Sequence, residues 1–119
     1  MPRSLQMYLA DVRMYIQEIE EFTRGKTQQD FEREQMVRSA VRGDMILIGE
    51  AISQMPHHFP ETNVRVGRAR RIVDFRNLLI HDYGSIDDAI LWSVVVESLP
   101  RLKAEIADWI GDSQQSVQD

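Results

Sequence analysis

The sequence predicts an all-α fold: an antiparallel bundle of four to five helices. Apolar residues recur at steps of three and four along most of the chain, which places them on one face of each helix. We find no convincing strand and no internal repeat. Short connections at glycines favour antiparallel neighbours. With 119 residues the chain has the size of one domain, which we assign to residues 1–110, followed by a polar tail at 111–119 that we expect to be disordered.

The first predicted helix covers about residues 5–24. Gly25 follows it, and glycine readily adopts the left-handed conformation that ends helices. Charged residues lie between the apolar ones and form a solvent face. The apolar stripe consists of Leu5, Tyr8, Leu9, Val12, Tyr15, Ile16, Ile19 and Phe22.

The second predicted helix begins at about Thr27 or Asp30, because both residues are good N-caps. It extends to about Met55, and Pro56 should end it, because the residue before a proline is disfavoured in helical geometry. Two glycines, at positions 43 and 49, lie inside this helix and each costs about 1 kcal/mol relative to alanine. Glycine at such positions indicates close approach of another helix.

The third helix is predicted over 64–82 and ends at Gly84. Residues 85–88 then have the form of a capping box and start a fourth helix at about Ile86. Pro100 lies in the middle of this last helical pattern and should kink or split it.

The composition excludes several classes of protein and site. The chain has no cysteine, which excludes disulfides and thiolate chemistry and fits a cytoplasmic protein. We recognise no signal peptide and no run of about 18 apolar residues, so we expect no membrane association. The net charge of −5 argues against a general nucleic-acid coating protein, because such proteins are usually basic.

A basic segment, residues 63–83, lies within this acidic chain. It carries five arginines against two aspartates, a local charge of +3. Such a stripe can attract a phosphate chain or an acidic partner, and a solvated helix face explains it equally well. The adjacent His57 and His58 have no further ligand nearby at suitable spacing, so we predict no metal site.

Four polar side chains, Arg76, Asn77, His81 and Tyr83, lie in the otherwise apolar segment RNLLIHDYG, residues 76–84. Asn77 and His81 share a helix face, whereas Arg76 and His81 lie about 140° apart around an ideal helix axis. One straight helix therefore cannot bring all four groups together. The helix could end near His81, with the long Arg76 side chain reaching around it. Alternatively, a two-fold dimer could bring two copies together across a cleft.

Histidine and arginine without a metal suit cleavage of RNA by its own 2'-hydroxyl group. Histidine transfers protons near neutral pH, and arginine stabilises the charge that develops on the phosphorus oxygens. DNA lacks this hydroxyl group. Arg68 and Arg71 would then be possible contacts for the RNA substrate. A structural explanation stays open, because cations at a helix C-terminus stabilise the helix by about 0.3–1 kcal/mol each.

The motif resembles the signature of the HepT-like toxins of the HEPN superfamily, in which arginine, a polar residue, three further residues and histidine follow one another. The resemblance extends from about Tyr8 to about Trp109. The segment DVRMYIQEIEEFTRGKTQQDF resembles the family's first helix and turn, and AVRGDMILIGEAISQMP resembles its second helix. Trp92 and Leu99-Pro100 also match the family pattern. The segment NVRVGRARRIVDF departs from it, because family members often carry proline and tryptophan before the motif arginine.

The resemblance implies a dimeric helical bundle in which two motifs line a cleft. It implies a metal-independent RNase toxin encoded beside a minimal nucleotidyltransferase antitoxin. Arg76 and His81 would be catalytic, Asn77 would support them, and the antitoxin would adenylylate Tyr83. No cofactor is implied for this chain, since ATP would serve only as the adenylyl donor for the antitoxin.

Two other hypotheses remain. In the first, the chain is a non-catalytic helical partner of a nucleotidyltransferase and holds a nucleotide or substrate at the cleft of Arg76 and His81. The acidic body and the lack of a broad basic surface favour this hypothesis. In the second, His81 has only a structural role at the end of its helix.

Overall fold

The computed structural model of the protein describes residues 3–63, 65, 69–81 and 87–118. All regular structure in these residues is helical, which confirms the predicted all-α fold. Within this part of the chain, no helix has the length and apolarity to cross a membrane. The elements are α1 (Leu5–Thr23), α2 (Gln28–Arg33), α3 (Gln35–His58), a 3-10 turn (Pro60–Thr62), α4 (Arg70–His81), α5 (Asp88–Ser93), a π-helical turn (Val94–Ser98) and α6 (Leu99–Gln118).

Helix α1 begins and ends at residues suited to these positions. Ser4 is its N-cap, and the Ser4 hydroxyl accepts a hydrogen bond from the Met7 amide at 3.2 Å. Gly25 has φ of +73°, so it ends the helix as predicted. The apolar stripe faces the core, and its fully buried members are Leu9, Val12, Ile16 and Ile19.

The predicted second helix is two helices, because the chain is extended at Glu34. Thr27 and Asp30 form a reciprocal capping box at the start of α2, with bonds of 3.1 and 3.0 Å, so the predicted start is confirmed. The side chain of Arg38 reaches back to the Phe31 carbonyl at 3.3 Å. This bond satisfies a carbonyl that the short helix leaves without an intrahelical donor.

The prediction that Pro56 ends this segment is wrong, since α3 continues to His58. Pro56 lies in the last turn, where its missing amide removes only one hydrogen bond. The helix closes after it through a 2.7 Å bond from the Phe59 amide to the Met55 carbonyl. The His58 ring stacks on Tyr8 of α1, with the ring centroids 6.2 Å apart.

Helix α3 lies at the centre of the fold. It packs against α1 and against α4, and α6 packs against α1. Burial of apolar side chains at these contacts is the main source of stability. The core residues are Leu9, Val12, Ile16, Ile19, Phe31, Val41, Met45, Ile48, Ala51, Ile52, Met55, Ala69, Ile72, Phe75, Leu79, Leu91, Leu99, Leu102, Ile106 and Trp109.

The third predicted helix is shorter than expected in the described residues. Ala69 lies in a turn, and α4 begins at Arg70, so a continuous helix over 64–82 is wrong at Ala69. The Ala69 carbonyl accepts a hydrogen bond from the Ile72 amide at 3.0 Å, and this bond forms the start of α4. Residues 64, 66–68 and 82 lie outside the described part of the chain.

The last helical segment is split before Pro100, as predicted. The π-helical turn precedes α6, and the Leu99 amide donates to the Val94 carbonyl, five residues back. Asp87 caps α5, with its carboxylate 3.0 Å from the Ala89 amide. Residues 84–86 lie outside the described residues. Helix α6 continues to Gln118, and the domain boundary at residue 110 stays a prediction.

Candidate active site

Arg76 is seated on a glycine of the neighbouring helix. Gly49 of α3 is buried, and a Cβ atom built on it would lie 2.3 Å from the Cβ of Arg76. Only glycine therefore allows α4 to pass α3 at this distance. The predicted close approach is confirmed at Gly49 and wrong at Gly43, where a Cβ would meet no described atom within 4 Å.

The Arg76 guanidinium is held at both of its terminal nitrogens. Nη1 donates to Asn77 Oδ1 at 2.8 Å, and Nη2 donates to Glu50 Oε2 at 3.0 Å. Nε is buried without a hydrogen-bond partner in the described residues. Each terminal nitrogen carries two hydrogens, so each retains one donor for an anion. The fork is thus fixed in direction and still able to bind a phosphate oxygen.

Glu50 is the member of this site that sequence reasoning missed. Glu50 lies in the segment that resembles the family's second helix, but its position in the chain does not pair it with Arg76. The carboxylate is half exposed, whereas the Arg76 side chain is 21% exposed. Glu50 therefore orients a more deeply placed arginine from the surface of α3.

His81 is not brought to Arg76 within one chain. Helix α4 is continuous between the two residues, so they stay about 140° apart around its axis. His81 is exposed at the last residue of α4 and makes no hydrogen bond or ion pair with the described residues. The described chain thus joins Arg76 and Asn77 and leaves His81 on another face.

Of the other predicted site residues, the structure describes Arg71 but not Arg68 or Tyr83. Arg71 is exposed on α4 and lines a cavity between α4 and α6. Arg68 and Tyr83 lie outside the described residues, so their predicted roles stay predictions. His57 is exposed, and no three histidine, aspartate or glutamate side chains among the described residues are grouped to hold a metal ion.

The apolar residues inside the motif do not all anchor α4 in the core. Leu79 is buried and Ile80 is partly buried, whereas Leu78 is 48% exposed. Leu78 lies about 100° around the helix axis from Leu79, so it is outside the buried face of α4. Leu78 instead lines a groove that leads along α4.

A second unusual group lies apart from the motif, between α1 and α3. Asp44 is buried, and no donor reaches its Oδ2 among the described residues. Burial raises the pKa of Asp44 to about 7, together with a hydrogen bond and charge repulsion from Glu18. Protonation of Asp44 therefore relieves both burial of a charge and repulsion between the two carboxylates.

Comparison with known proteins identifies relatives over most of the chain. The family described as "Ribonuclease HepT-like" matches residues 12–108. A Thermococcus cleftensis protein named "Probable ribonuclease HepT" is 35% identical over 88% of this chain and 94% of its own length. A Methanocaldococcus jannaschii protein named "Putative RNase" is 33% identical over 87% of this chain and 94% of its own length.

A further relative is longer than this chain. It is a Methanocaldococcus jannaschii protein named "Gamma-glutamylcyclotransferase and putative RNase", 33% identical over 89% of this chain. The chain spans about half of that relative, 47% of its length. No solved structure matches the chain.

Proposed function

The chain belongs to the HepT-like ribonuclease family, and from this premise we propose that it is a metal-independent endoribonuclease and the toxin of a toxin–antitoxin pair. The observation that carries the proposal is the fixed guanidinium of Arg76. It rests on Gly49, is held by Glu50 and Asn77, and keeps donors for a phosphate oxygen. Such preorganised charge is the usual means of stabilising a charged transition state.

The reaction follows from the chemistry of two side chains. His81 takes the proton from a ribose 2'-hydroxyl, and the oxygen attacks the adjacent phosphorus. The bond from phosphorus to the 5'-oxygen breaks, and that oxygen receives a proton from a protonated histidine or from water. The products are a 2',3'-cyclic phosphate and a free 5'-hydroxyl. Arg76 stabilises the negative charge on the phosphorus oxygens, and Asn77 supports Arg76 through its side-chain oxygen.

A homodimer completes this site in the proposal. Arg76 and His81 of one chain lie on different faces of α4, so one continuous helix cannot direct both at the same phosphate. A two-fold axis beside α4 would place the His81 of one copy opposite the Arg76 of the other. Two equivalent sites would then line one cleft.

Regulation by a partner is part of the same proposal. A minimal nucleotidyltransferase antitoxin transfers the adenylyl group of ATP to the Tyr83 hydroxyl and releases pyrophosphate. Tyr83 follows His81 by two residues, so the added phosphate would repel and block an RNA phosphate. Mass spectrometry of the Tyr83 peptide after co-expression with the antitoxin tests this step. An unmodified peptide in a neutralised complex would contradict it and indicate masking by the partner instead.

The activity is tested with purified parent and His81→Ala proteins and with expression in cells. The parent should cut RNA in the presence of a chelator and arrest growth, whereas His81→Ala should do neither and keep the parent's melting temperature. If the parent cuts no RNA with or without metal, and His81→Ala is as toxic as the parent, the proposal is wrong.

A non-catalytic role is the alternative candidate. Here the chain is a partner subunit of a nucleotidyltransferase and holds nucleotide or substrate at Arg76 and His81. The ion pair of Arg76 with Glu50 favours it, because a carboxylate already occupies one end of the guanidinium. Expression of the chain alone should then be harmless to growth, whereas the nuclease proposal predicts arrest.

A further inference from the structure

A groove runs along the face of α4 that lies toward α6 and the π-helical turn. Its larger part is a cavity of about 390 Å³, and its smaller part is a cavity of about 230 Å³. The two parts share three lining residues, Arg71, Ile72 and Ser98, so they form one continuous depression. The larger part lies within the size range of small-molecule sites, roughly 300–1,000 Å³.

The groove points toward the candidate catalytic histidine. Its smaller part ends at Leu78, which lies one turn before His81 on α4. Arg71 and His81 are ten residues apart, which corresponds to roughly 15 Å along the helix axis. A strand lying in the groove would therefore lead to the side of α4 that carries His81.

The lining has the composition of a nucleotide site. The larger part combines the apolar side chains of Ile72 and Leu102 with the polar Ser98 and Glu105, and Arg71 and Arg101 are exposed at its edges. Neither arginine makes an ion pair with the described residues. Ile72 and Leu102 are 3% and 4% exposed, so they form only the apolar floor of the groove. The aliphatic stems of Arg71 and Arg101 suit the faces of a base, and their unpaired guanidinium groups suit the phosphates that flank it.

The charge of the groove contrasts with that of the protein. Arg71 and Arg101 outweigh Glu105 in the larger part, whereas the chain as a whole has a net charge of −5. Asp74, which lines the smaller part, is paired with Arg70 at 3.7 Å, so its charge is partly offset. The groove is thus a local site for an anion on an acidic body.

We infer that this groove binds one nucleotide of the single-stranded RNA substrate, upstream or downstream of the cleaved bond. Its base lies between the stems of Arg71 and Arg101, above the floor that Ile72 and Leu102 form, and its phosphates lie at the two guanidinium groups. This inference rests on the proposed nuclease function. It adds α6 to the substrate-binding surface through Arg101, and it gives Glu105 the role of accepting hydrogen bonds from the base.

Binding of a labelled single-stranded RNA, followed by fluorescence anisotropy at several salt concentrations, tests the inference. Arg101→Ala should weaken RNA binding by about tenfold, the effect of losing one charge-assisted hydrogen bond. The slope of log affinity against log salt should fall by about 0.7, the value for one phosphate contact with a single strand. In cleavage assays the KM should rise while kcat changes little, and Arg101→Lys should restore part of the salt slope.

Arg13→Ala is the matched control, because Arg13 is exposed on α1, away from the groove, and makes no ion pair with the described residues. It should leave RNA affinity and the salt slope unchanged. Ser98→Phe places a ring in the groove and should weaken binding without removing any charge. Melting temperatures of all variants show whether they remain folded.

Failure of the inference is distinguishable from failure of the nuclease proposal. If His81→Ala abolishes cleavage while Arg101→Ala and Ser98→Phe bind RNA like the parent, the nuclease proposal stands and the groove inference is overturned. The inference is also overturned if Arg101→Ala weakens only the binding of a partner protein. A parent that neither binds nor cuts RNA would overturn both.

Discussion

Gly49 leaves the space that the stem of Arg76 occupies. A Cβ atom on Gly49 would lie 2.3 Å from Cβ and 2.6 Å from Cγ of Arg76, distances that side-chain carbons do not tolerate. The contact joins the helix that carries Glu50 to the helix that carries the candidate catalytic arginine. The position of the guanidinium therefore depends on a residue that has no side chain.

Gly49→Ala should destabilise the protein and displace Arg76. We expect a loss of about 1–3 kcal/mol from overpacking, since α4 or the arginine stem must move. RNA cleavage should fall as well, because misplacement of a catalytic group is costly. Urea unfolding and cleavage rates measure the two effects.

Gly43→Ala on the same helix is the matched control. A Cβ atom at Gly43 meets no described atom within 4 Å, so alanine should stabilise the helix by about 0.5–1 kcal/mol without affecting cleavage. If both variants change stability in the same direction, the space at Gly49 does not limit the approach of the two helices.

Glu50→Ala should reduce cleavage with little change in stability. The ion pair of Glu50 with Arg76 is partly exposed, and such pairs contribute about 1 kcal/mol or less. Loss of the carboxylate frees the guanidinium to rotate, so we expect kcat/KM to fall by about tenfold. Glu21, exposed on α1 and unpaired among the described residues, is the control for loss of one negative charge. Equal cleavage by Glu50→Ala and the parent would show that Asn77 alone orients Arg76.

Local sequence patterns predicted much of the fold because helix periodicity and capping act over a few residues. The stripe of α1, its end at Gly25 and the capping box at Thr27 are of this kind. Periodicity did not predict the boundary between two helices at Glu34, where a bond from Arg38 to Phe31 joins residues on either side of it. It also did not predict that α3 continues past Pro56.

The candidate site was predictable only in part, because contacts between helices that are distant in the sequence build it. Spacing within one helix showed that Arg76 and His81 diverge, and the structure agrees. Spacing could not show that Glu50 pairs with Arg76, because 26 residues separate them. It also could not distinguish Gly49 from Gly43, because both are helical glycines and, among the described residues, only Gly49 faces another helix.

The pKa of Asp44 predicts how stability should vary with pH. In the unfolded chain its carboxyl has its ordinary pKa near 3.8, and in the folded chain burial and Glu18 raise the pKa to about 7. The folded state therefore binds this proton more tightly. The contribution of Asp44 to the free energy of unfolding is greatest below about pH 4 and is lost as the pH rises through about 7.

Asp44→Asn should remove this dependence. Between pH 5 and pH 8 the urea midpoint of the parent should fall relative to that of the variant, because asparagine carries no charge at either pH. Asp108→Asn, an exposed change on α6, should follow the parent. Asp30 has a lowered pKa because of its hydrogen bonds to Thr27, so its contribution to the free energy of unfolding changes only below pH 5. If the urea midpoints of the parent and Asp44→Asn differ by a constant amount from pH 5 to pH 8, Asp44 does not bind a proton more tightly in the folded state.

Mixed dimers test whether Arg76 and His81 act across subunits. Arg76→Ala and His81→Ala should each be inactive alone. If each site takes Arg76 from one copy and His81 from the other, a mixed dimer retains one intact site. Random mixing of the two variants should then restore roughly a quarter of the parent's activity per chain, because half of the dimers are mixed and each has one working site. Size-exclusion chromatography confirms that subunits have exchanged. No recovery after exchange would mean that both residues act from the same chain, which would require the end of α4 to turn His81 toward Arg76.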